Sequence, residues 1–172
     1  MSTRLTPTQH SKIPSGARVI LLCGISGSGK TCVAHSLEAE GFRRIASDRL
    51  AWERYGGDFT SQPWERQQEL FAAVRSDIDA EIARSLEAGE RIVVDATNCK
   101  RARRDALRRL CRSFDVEPVL VFLPGTYDIL IRRLSGRQGL GPDDIIITDS
   151  QLRGFLEGFE PPTPDENAIE IL

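Results

Sequence analysis

The chain has 172 residues, 40% hydrophobic and 28% charged, with a formal net charge of −2. That is the length of about one domain, with a globular balance and enough chain to bury a core without disulfide or metal staples. Fibrous, disordered and membrane-spanning classes are excluded, since the longest apolar runs, Val19–Leu22 and Val119–Leu123, are strand-sized and far short of the ~18 residues of a span.

Residues 1–16 read as a flexible arm of Thr, Ser, Pro and Gly. Met1–Ser15 carries no apolar signal region, which implies a cytoplasmic location. Residues 17–172 are expected to form a single domain. Arg18–Cys23 is a continuous apolar run, the pattern of a strand buried on both faces. It leads into Gly24-Ile-Ser-Gly-Ser-Gly-Lys-Thr31, after which Val33, Ala34 and Leu37 recur at helical spacing until Gly41. Phe42–Ser47 reads as a second strand ending at Asp48. A long amphipathic helix is predicted over Trp64–Ala88, with Leu70, Val74, Ile78, Ile82 and Leu86 four apart on one face and Gly89 ending it. Ile92–Asp95 is a third buried strand. Lys100–Ser113 is a basic helix with Ala102, Ala106, Leu107 and Leu110 predicted inward. Val116–Leu123, Thr126–Ser135, the glycine-rich Gly136–Pro142, Thr148–Gly158 and Ala168–Leu172 read as strand, helix, loop, helix and short last strand. The alternation predicts an α/β fold of the P-loop NTPase type, a parallel sheet with helices on both faces and a C-terminal lid at about 132–148.

Gly24–Thr31 matches G-x-x-x-x-G-K-[ST] at every required place, with a strand before it and a helix after it. Gly24, Ser26, Gly27, Ser28 and Gly29 supply a curled backbone whose N–H groups converge on phosphate oxygens. The following helix adds its positive end. Lys30 reaches the β- and γ-phosphates of ATP, and the Thr31 hydroxyl ligates Mg²⁺. A dinucleotide fingerprint fails, because the third glycine would fall at Cys32.

What accepts the phosphate is read from the sheet's carboxyl edge. Asp48 lies where a carboxylate can take the proton of an attacking hydroxyl, its alternative being a helix N-cap. Asp95 has no following Glu, which counts against ring and motor ATPases, and an N-K-x-D base-recognition motif is missing. Arg133 and Arg137, four apart beside Gly136–Gly141, suit a lid that closes over ATP.

Together, Gly24–Thr31, Ser47-Asp48-Arg49, Val94-Asp95-Ala-Thr-Asn98, Arg133-x-x-x-Arg137 and the closing Phe159–Glu166 segment resemble the P-loop kinases that include polynucleotide 5′-kinases and zeta-toxin-like kinases. The resemblance covers residues 18–172. It implies Asp48 as general base, Asp95 beside the metal and acceptor, Arg137 as the lid arginine on ATP and Arg133 as second choice. It also implies transfer of the γ-phosphate to a hydroxyl, with the 5′ end of single-stranded DNA or RNA as leading acceptor. Such kinases tend to carry an arginine three residues after the base, holding the acceptor's next phosphate. That place is Ala51 here, with Arg49 or Arg54 as substitutes. The departure favours, as alternatives, a small-molecule kinase acting on a sugar, nucleotide or antibiotic. A nucleotide-dependent switch ATPase is the third reading.

Two charge asymmetries stand out. Lys100–Arg112 holds seven bases against one acid, while Phe155–Leu172 holds five acids and no base. The basic helix reads either as a solvated face or as a track for nucleic-acid phosphates. Trp52, Tyr55, Phe59 and Trp64, around Gly56-Gly57, suit either base stacking or packing. Asn98 is read as shaping its turn, and the four cysteines as inert buried thiols.

Overall fold

In the computed structural model, residues 6, 9, 11–56 and 61–172 are described. Five strands form one parallel sheet: β1 (Val19–Cys23), β2 (Arg43–Ala46), β3 (Ile92–Asp95), β4 (Val119–Phe122) and β5 (Ile169–Glu170), in the order β2-β3-β1-β4-β5. The helices between them are α1 (Lys30–Glu38), α2 (Ser47–Tyr55), α3 (Trp64–Glu87), α4 (Arg101–Arg112), α5 (Tyr127–Leu134) and α6 (Asp149–Glu157). The α/β, P-loop NTPase-like arrangement expected from the sequence is the one observed.

The apolar runs explain the layering. Strand side chains alternate, so Val19, Leu21 and Cys23 of β1 join Ile92 and Val94 of β3 beneath α3 and α4. Ile20 and Leu22 join Val93 on the opposite face, against Val33, Ala34 and Leu37 of α1. Both faces are buried, which is why β1 is apolar at every position. The stripe Leu70, Val74, Ile78, Ile82 and Leu86 is buried along α3 as predicted. Gly89 follows that helix at φ 74°, a left-handed position that only glycine takes without cost. Within the segment expected to be a flexible arm, Ile13 is buried against the α1 side, and the Lys12 ammonium donates to the Glu170 carbonyl at 3.1 Å.

Helix α4 departs from its predicted orientation. Ala102 is exposed, whereas Arg104 and Arg108 face inward with Leu107 and Cys111. The reason is electrostatic. Arg104 grips Glu166 in a bidentate pair, Nε to Oε2 and Nη2 to Oε1, each at 2.7 Å. Their side chains are 1% and 0% exposed. Arg108 adds a bond to Glu166 Oε2 at 3.1 Å and another to its carbonyl at 2.9 Å. Lys100 pairs with Glu160, Arg101 with Asp165, Arg103 with Asp79 and Arg112 with Glu117. The basic helix and the acidic tail therefore neutralise one another. Most of the helix's charges are thus engaged in ion pairs, while Arg109 stays exposed.

The Arg104 bonds draw Glu166 down to a pKa of about 2, against the desolvation that works to raise it. A carboxylate whose pKa is lowered on folding stabilises the fold above its unfolded value of 4.5 and loses that contribution as pH falls from there towards 2. Glu166→Ala, which strands two buried guanidiniums, is expected to cost about 3–5 kcal/mol in urea unfolding at neutral pH. The gap between wild type and Glu166→Gln should narrow steadily between pH 5 and pH 2; a gap that stays constant would refute the assignment.

Candidate active site

The loop after β1 is shaped by what its glycines leave out. At Gly24, φ 157°, an added Cβ would lie 2.6 Å from both the Leu123 carbonyl oxygen and Ser28 Oγ. The Gly24 N–H donates to the Thr97 carbonyl at 3.1 Å, so the loop is tied to the turn that follows β3. That turn depends on Asn98, which takes φ 45°. Its side-chain amide donates to the Leu22 carbonyl at 2.7 Å. The shaping role predicted for Asn98 is the one observed. Arg104 donates from Nη1 to the Asn98 carbonyl at 3.1 Å and to the Glu160 carbonyl at 2.9 Å.

Gly29, φ 103°, precedes α1, and no side chain caps that helix. Its first-turn N–H groups therefore face the cavity as donors for an anion. Lys30 is buried, and its Nζ donates to the Ile25 carbonyl at 3.0 Å. Burial lowers its pKa, opposed by the charges of Asp95 and Asp48. The curled backbone, the uncapped helix and the ammonium fit a polyphosphate.

A single cavity of about 670 Å³ contains this cradle together with Asp48, Asp95, Arg133 and Arg137, a volume within the usual range for a small-ligand site. Asp48 lies inside the first turn of α2 rather than at its N-cap, which is Ala46. The capping alternative is therefore excluded. Ser47 Oγ donates to Asp48 Oδ1 at 3.3 Å. Burial raises the Asp48 pKa, and Lys30 only partly offsets it.

Asp95, at the end of β3, is buried and is held by Arg44, whose Nε and Nη2 both bond its Oδ2, at 2.9 and 2.6 Å. Among the described residues no three His, Cys, Asp or Glu side chains gather into a metal cluster. The donor set around Thr31 and Asp95 suits a hard divalent cation that draws its remaining ligands from nucleotide phosphates and water.

The arginines expected to act together are separated. Helix α5 stops at Leu134, so Arg137 is not on the helical face of Arg133. Arg133 Nη1 bonds the Gly27 and Ser28 carbonyls at 3.1 and 3.2 Å, bracing the loop from outside. Arg137 Nη1 bonds the Ile145 carbonyl at 3.0 Å across the glycine-rich segment. Asp144 organises that segment by accepting from the Gln138 and Leu140 N–H groups at 3.0 and 3.1 Å. Both arginines still line the cavity.

Other candidates lie elsewhere. Arg49 is exposed and pairs with Glu53, and Arg54 pairs with Asp77. Tyr55 donates to Asp77 on α3, and neither it nor Trp52 lines the cavity. Phe59, Gly57 and the Trp64 side chain fall outside the described residues. Cys23 and Cys111 are buried and Cys32 and Cys99 partly so; burial pushes the first two thiols up to about 11.

The residue most clearly missed by sequence reading is Arg44, together with Asp143, its partner from the turn before α6. Arg44 falls on the same sheet face as Asp95 because Ala46 pairs with Asp95 and Arg44 with Val93. Only the strand order brings them together; within the sequence, Arg43-Arg44 is simply a polar strand start.

A family profile for the AAA domain matches residues 19–162. The chain belongs to the AAA domain family. No curated protein matches it. Among solved structures, a gluconokinase from Sinorhizobium meliloti 1021 is 27% identical to this AAA domain and superposes with a TM-score of 0.62, over 89% of this chain and 81% of its own. A sugar kinase from Janibacter sp. HTCC2649 is 23% identical with a TM-score of 0.67, over 90% and 84%. A chain of the Pnkp1/Rnl/Hen1 complex is 17% identical with a TM-score of 0.56, over 68% of this AAA domain and 38% of that chain. The latter two likenesses concern the fold alone, which is P-loop kinase-like. No helix among the described residues is long and apolar enough to cross a membrane.

The raised pKa of Asp48 carries a stability consequence. A carboxyl that holds its proton more tightly when folded destabilises the fold once it is ionised, above its raised folded value. Asp48→Asn is therefore expected to raise the melting temperature of the ligand-free AAA domain at neutral pH, by about 2–4 °C for each kcal/mol relieved. A lowered melting temperature would show that Asp48 is a structural acid.

Proposed function

We propose that this protein is an ATP-dependent kinase that moves the γ-phosphate onto a hydroxyl of a small-molecule acceptor. One observation carries the reading: a single cavity holds an uncapped helix start and Lys30 together with a half-buried carboxylate, Asp48, whose pKa is raised towards that of a useful base.

In this reading residues 17–172 act as one kinase domain and the segment at about 132–148 as its lid. The backbone of Ser26, Gly27, Ser28 and Gly29 lines the phosphate site, with Lys30 on the β- and γ-oxygens. Gly24, its N–H spent on the Thr97 carbonyl, shapes the start of the loop and does not itself meet the phosphates. Asp48 accepts the acceptor's hydroxyl proton as its oxygen bonds to the γ-phosphorus. The bond from that phosphorus to the β,γ-bridging oxygen breaks, and ADP leaves. Arg137 stabilises the charge that develops, and Arg133 holds the loop from behind. Mg²⁺, held through Thr31 and Asp95, neutralises phosphate charge when bound.

The small-molecule choice draws support from the sugar-acid and sugar kinases that cover more than four fifths of both chains. It also rests on α4, where Arg101, Arg104 and Arg108 are engaged by the tail. A polynucleotide 5′-OH remains the second reading, favoured by the D-x-T-N element and by the likeness to the Pnkp1 complex chain.

The direct test is Mg²⁺ and γ-labelled ATP against a panel of sugars, sugar acids and 5′-OH oligonucleotides. Label is expected on a small hydroxy compound. Asp48→Asn should lower kcat by about 10²–10⁴-fold while ATP binding stays near wild type, whereas Lys30→Ala should weaken both. Label on an oligonucleotide would move the assignment to the second reading. Rapid ATP hydrolysis that no acceptor alters would indicate a switch ATPase. Because Asp48 must be ionised to act, kcat should fall as pH drops through its raised pKa, with the acid limb above the ordinary 3.8. Arg137→Ala should retain the wild-type melting temperature and lose turnover; unchanged turnover would end its lid role.

A further inference from the structure

The acceptor half of the cavity holds one guanidinium that the reaction scheme leaves unused. Arg44 has a side chain only 3% exposed, yet it lines the same cavity as Lys30 and Asp48. Asp95 fixes it from one side through Nε and Nη2, so the plane of its fork is set in advance. The outer edge of that fork is filled by the Asp143 carboxylate. Nη1 bonds Oδ2 at 3.0 Å and Nη2 bonds Oδ1 at 2.5 Å, a two-pronged grip. Asp143 comes from the short turn Pro142–Asp144 and is 38% exposed. His35 of α1 also reaches its Oδ2, at 3.2 Å.

A buried, pre-aimed guanidinium whose outer prongs are occupied by a partly exposed carboxylate is built to hold a planar or tetrahedral anion. The other arginines near the base do not offer this. Arg49 and Arg54 pair outside the cavity, and position 51 is a buried alanine.

We propose that Arg44 is the subsite for an anionic group on the acceptor, and that Asp143 occupies it as an internal stand-in until the acceptor displaces it. The proposal deepens the kinase reading and rests on it for the identity of the site. The acceptor is then a small hydroxy compound carrying a carboxylate or a phosphate. Displacement breaks the tie between Arg44 on β2 and the turn at residues 142–144, leaving Asp143 its contact with His35. Asp95 keeps Arg44 charged and aligned in either state.

The experiment reads binding rather than turnover. The protein is saturated with Mg²⁺ and AMP-PNP, which fills the phosphate cradle, and titrated by calorimetry with D-gluconate, D-glucose 6-phosphate and D-glucose. At least one anionic probe is expected to bind, and which one binds separates carboxylate from phosphate. Asp143→Asn is expected to tighten that probe about tenfold or more by removing the competitor. Arg44→Gln should weaken it about a hundredfold, and Arg44→Lys should restore only part of that. Glucose should respond to neither substitution. AMP-PNP affinity reports that each variant is folded, and Asp143→Asn, on an exposed turn, keeps the test open if Arg44→Gln is not. Failure of both anions to bind even Asp143→Asn, or equal effects on glucose, would overturn the subsite. Tight anion binding without any phosphate transfer from ATP would instead strike the kinase reading and leave the subsite standing.

Discussion

One buried guanidinium, Arg104, stands at the centre of the contacts that hold the tail against the turn behind the phosphate loop. With four bonds it joins the tail to the turn after β3, and that turn in turn holds the end of β1 and the first glycine of the phosphate loop. A charge buried this deeply is favourable only when fully matched, because desolvation alone exceeds what a single imperfect contact returns. Glu166, the Glu160 carbonyl and the Asn98 carbonyl supply that match. The phosphate cradle is therefore rigid from behind, through hydrogen bonds, and not merely from the apolar packing of β1.

The same logic of matched charge runs across the molecule. A net charge of −2 conceals a strongly basic helix and a strongly acidic tail that meet face to face. On the other side of the sheet, Arg44 stands between two carboxylates, Asp95 and Asp143. Burial works against its charge, but the two acids outweigh it and hold its pKa above the ordinary value. The cavity thus sits between two arginine-centred networks. One is closed and structural, while the other opens onto ligand space.

Local patterns in the sequence were sufficient wherever a single element decides its own fate. The apolar run of β1, the glycines and Lys30 of the loop, and the five-residue stripe of α3 each follow from spacing within a short window. That Asp48 and Asp95 would lie at the sheet's carboxyl edge was legible because they follow or end predicted strands, and both line the cavity. The failures share a cause. Apolar periodicity turns Ala102 inward on α4, but the partner that reverses this, Glu166, lies 62 residues away from Arg104. Arg44 finds Asp143 at a separation of 99 residues, and only the β2-β3 pairing puts it beside Asp95. The Arg133–Arg137 spacing of four would give one helical face only on a longer helix, and α5 ends at Leu134 before the second arginine is reached. Ion pairs between distant segments leave no periodic trace, whereas packing does.

The Arg104–Glu166 clasp also orders events in time. The phosphate loop is made before residue 166, and its strand and helix can form while the rest of the chain is still being added. Its rear support cannot, because the clasp closes only when residue 166 is available. Until then the Arg104 guanidinium has no buried carboxylate to face, and the Asn98 turn lacks one of its supports. A nascent or truncated chain would carry the whole nucleotide-binding motif and still lack the finished cradle. The rear support of the cradle is thus completed only after the motif it supports, once residue 166 has been made.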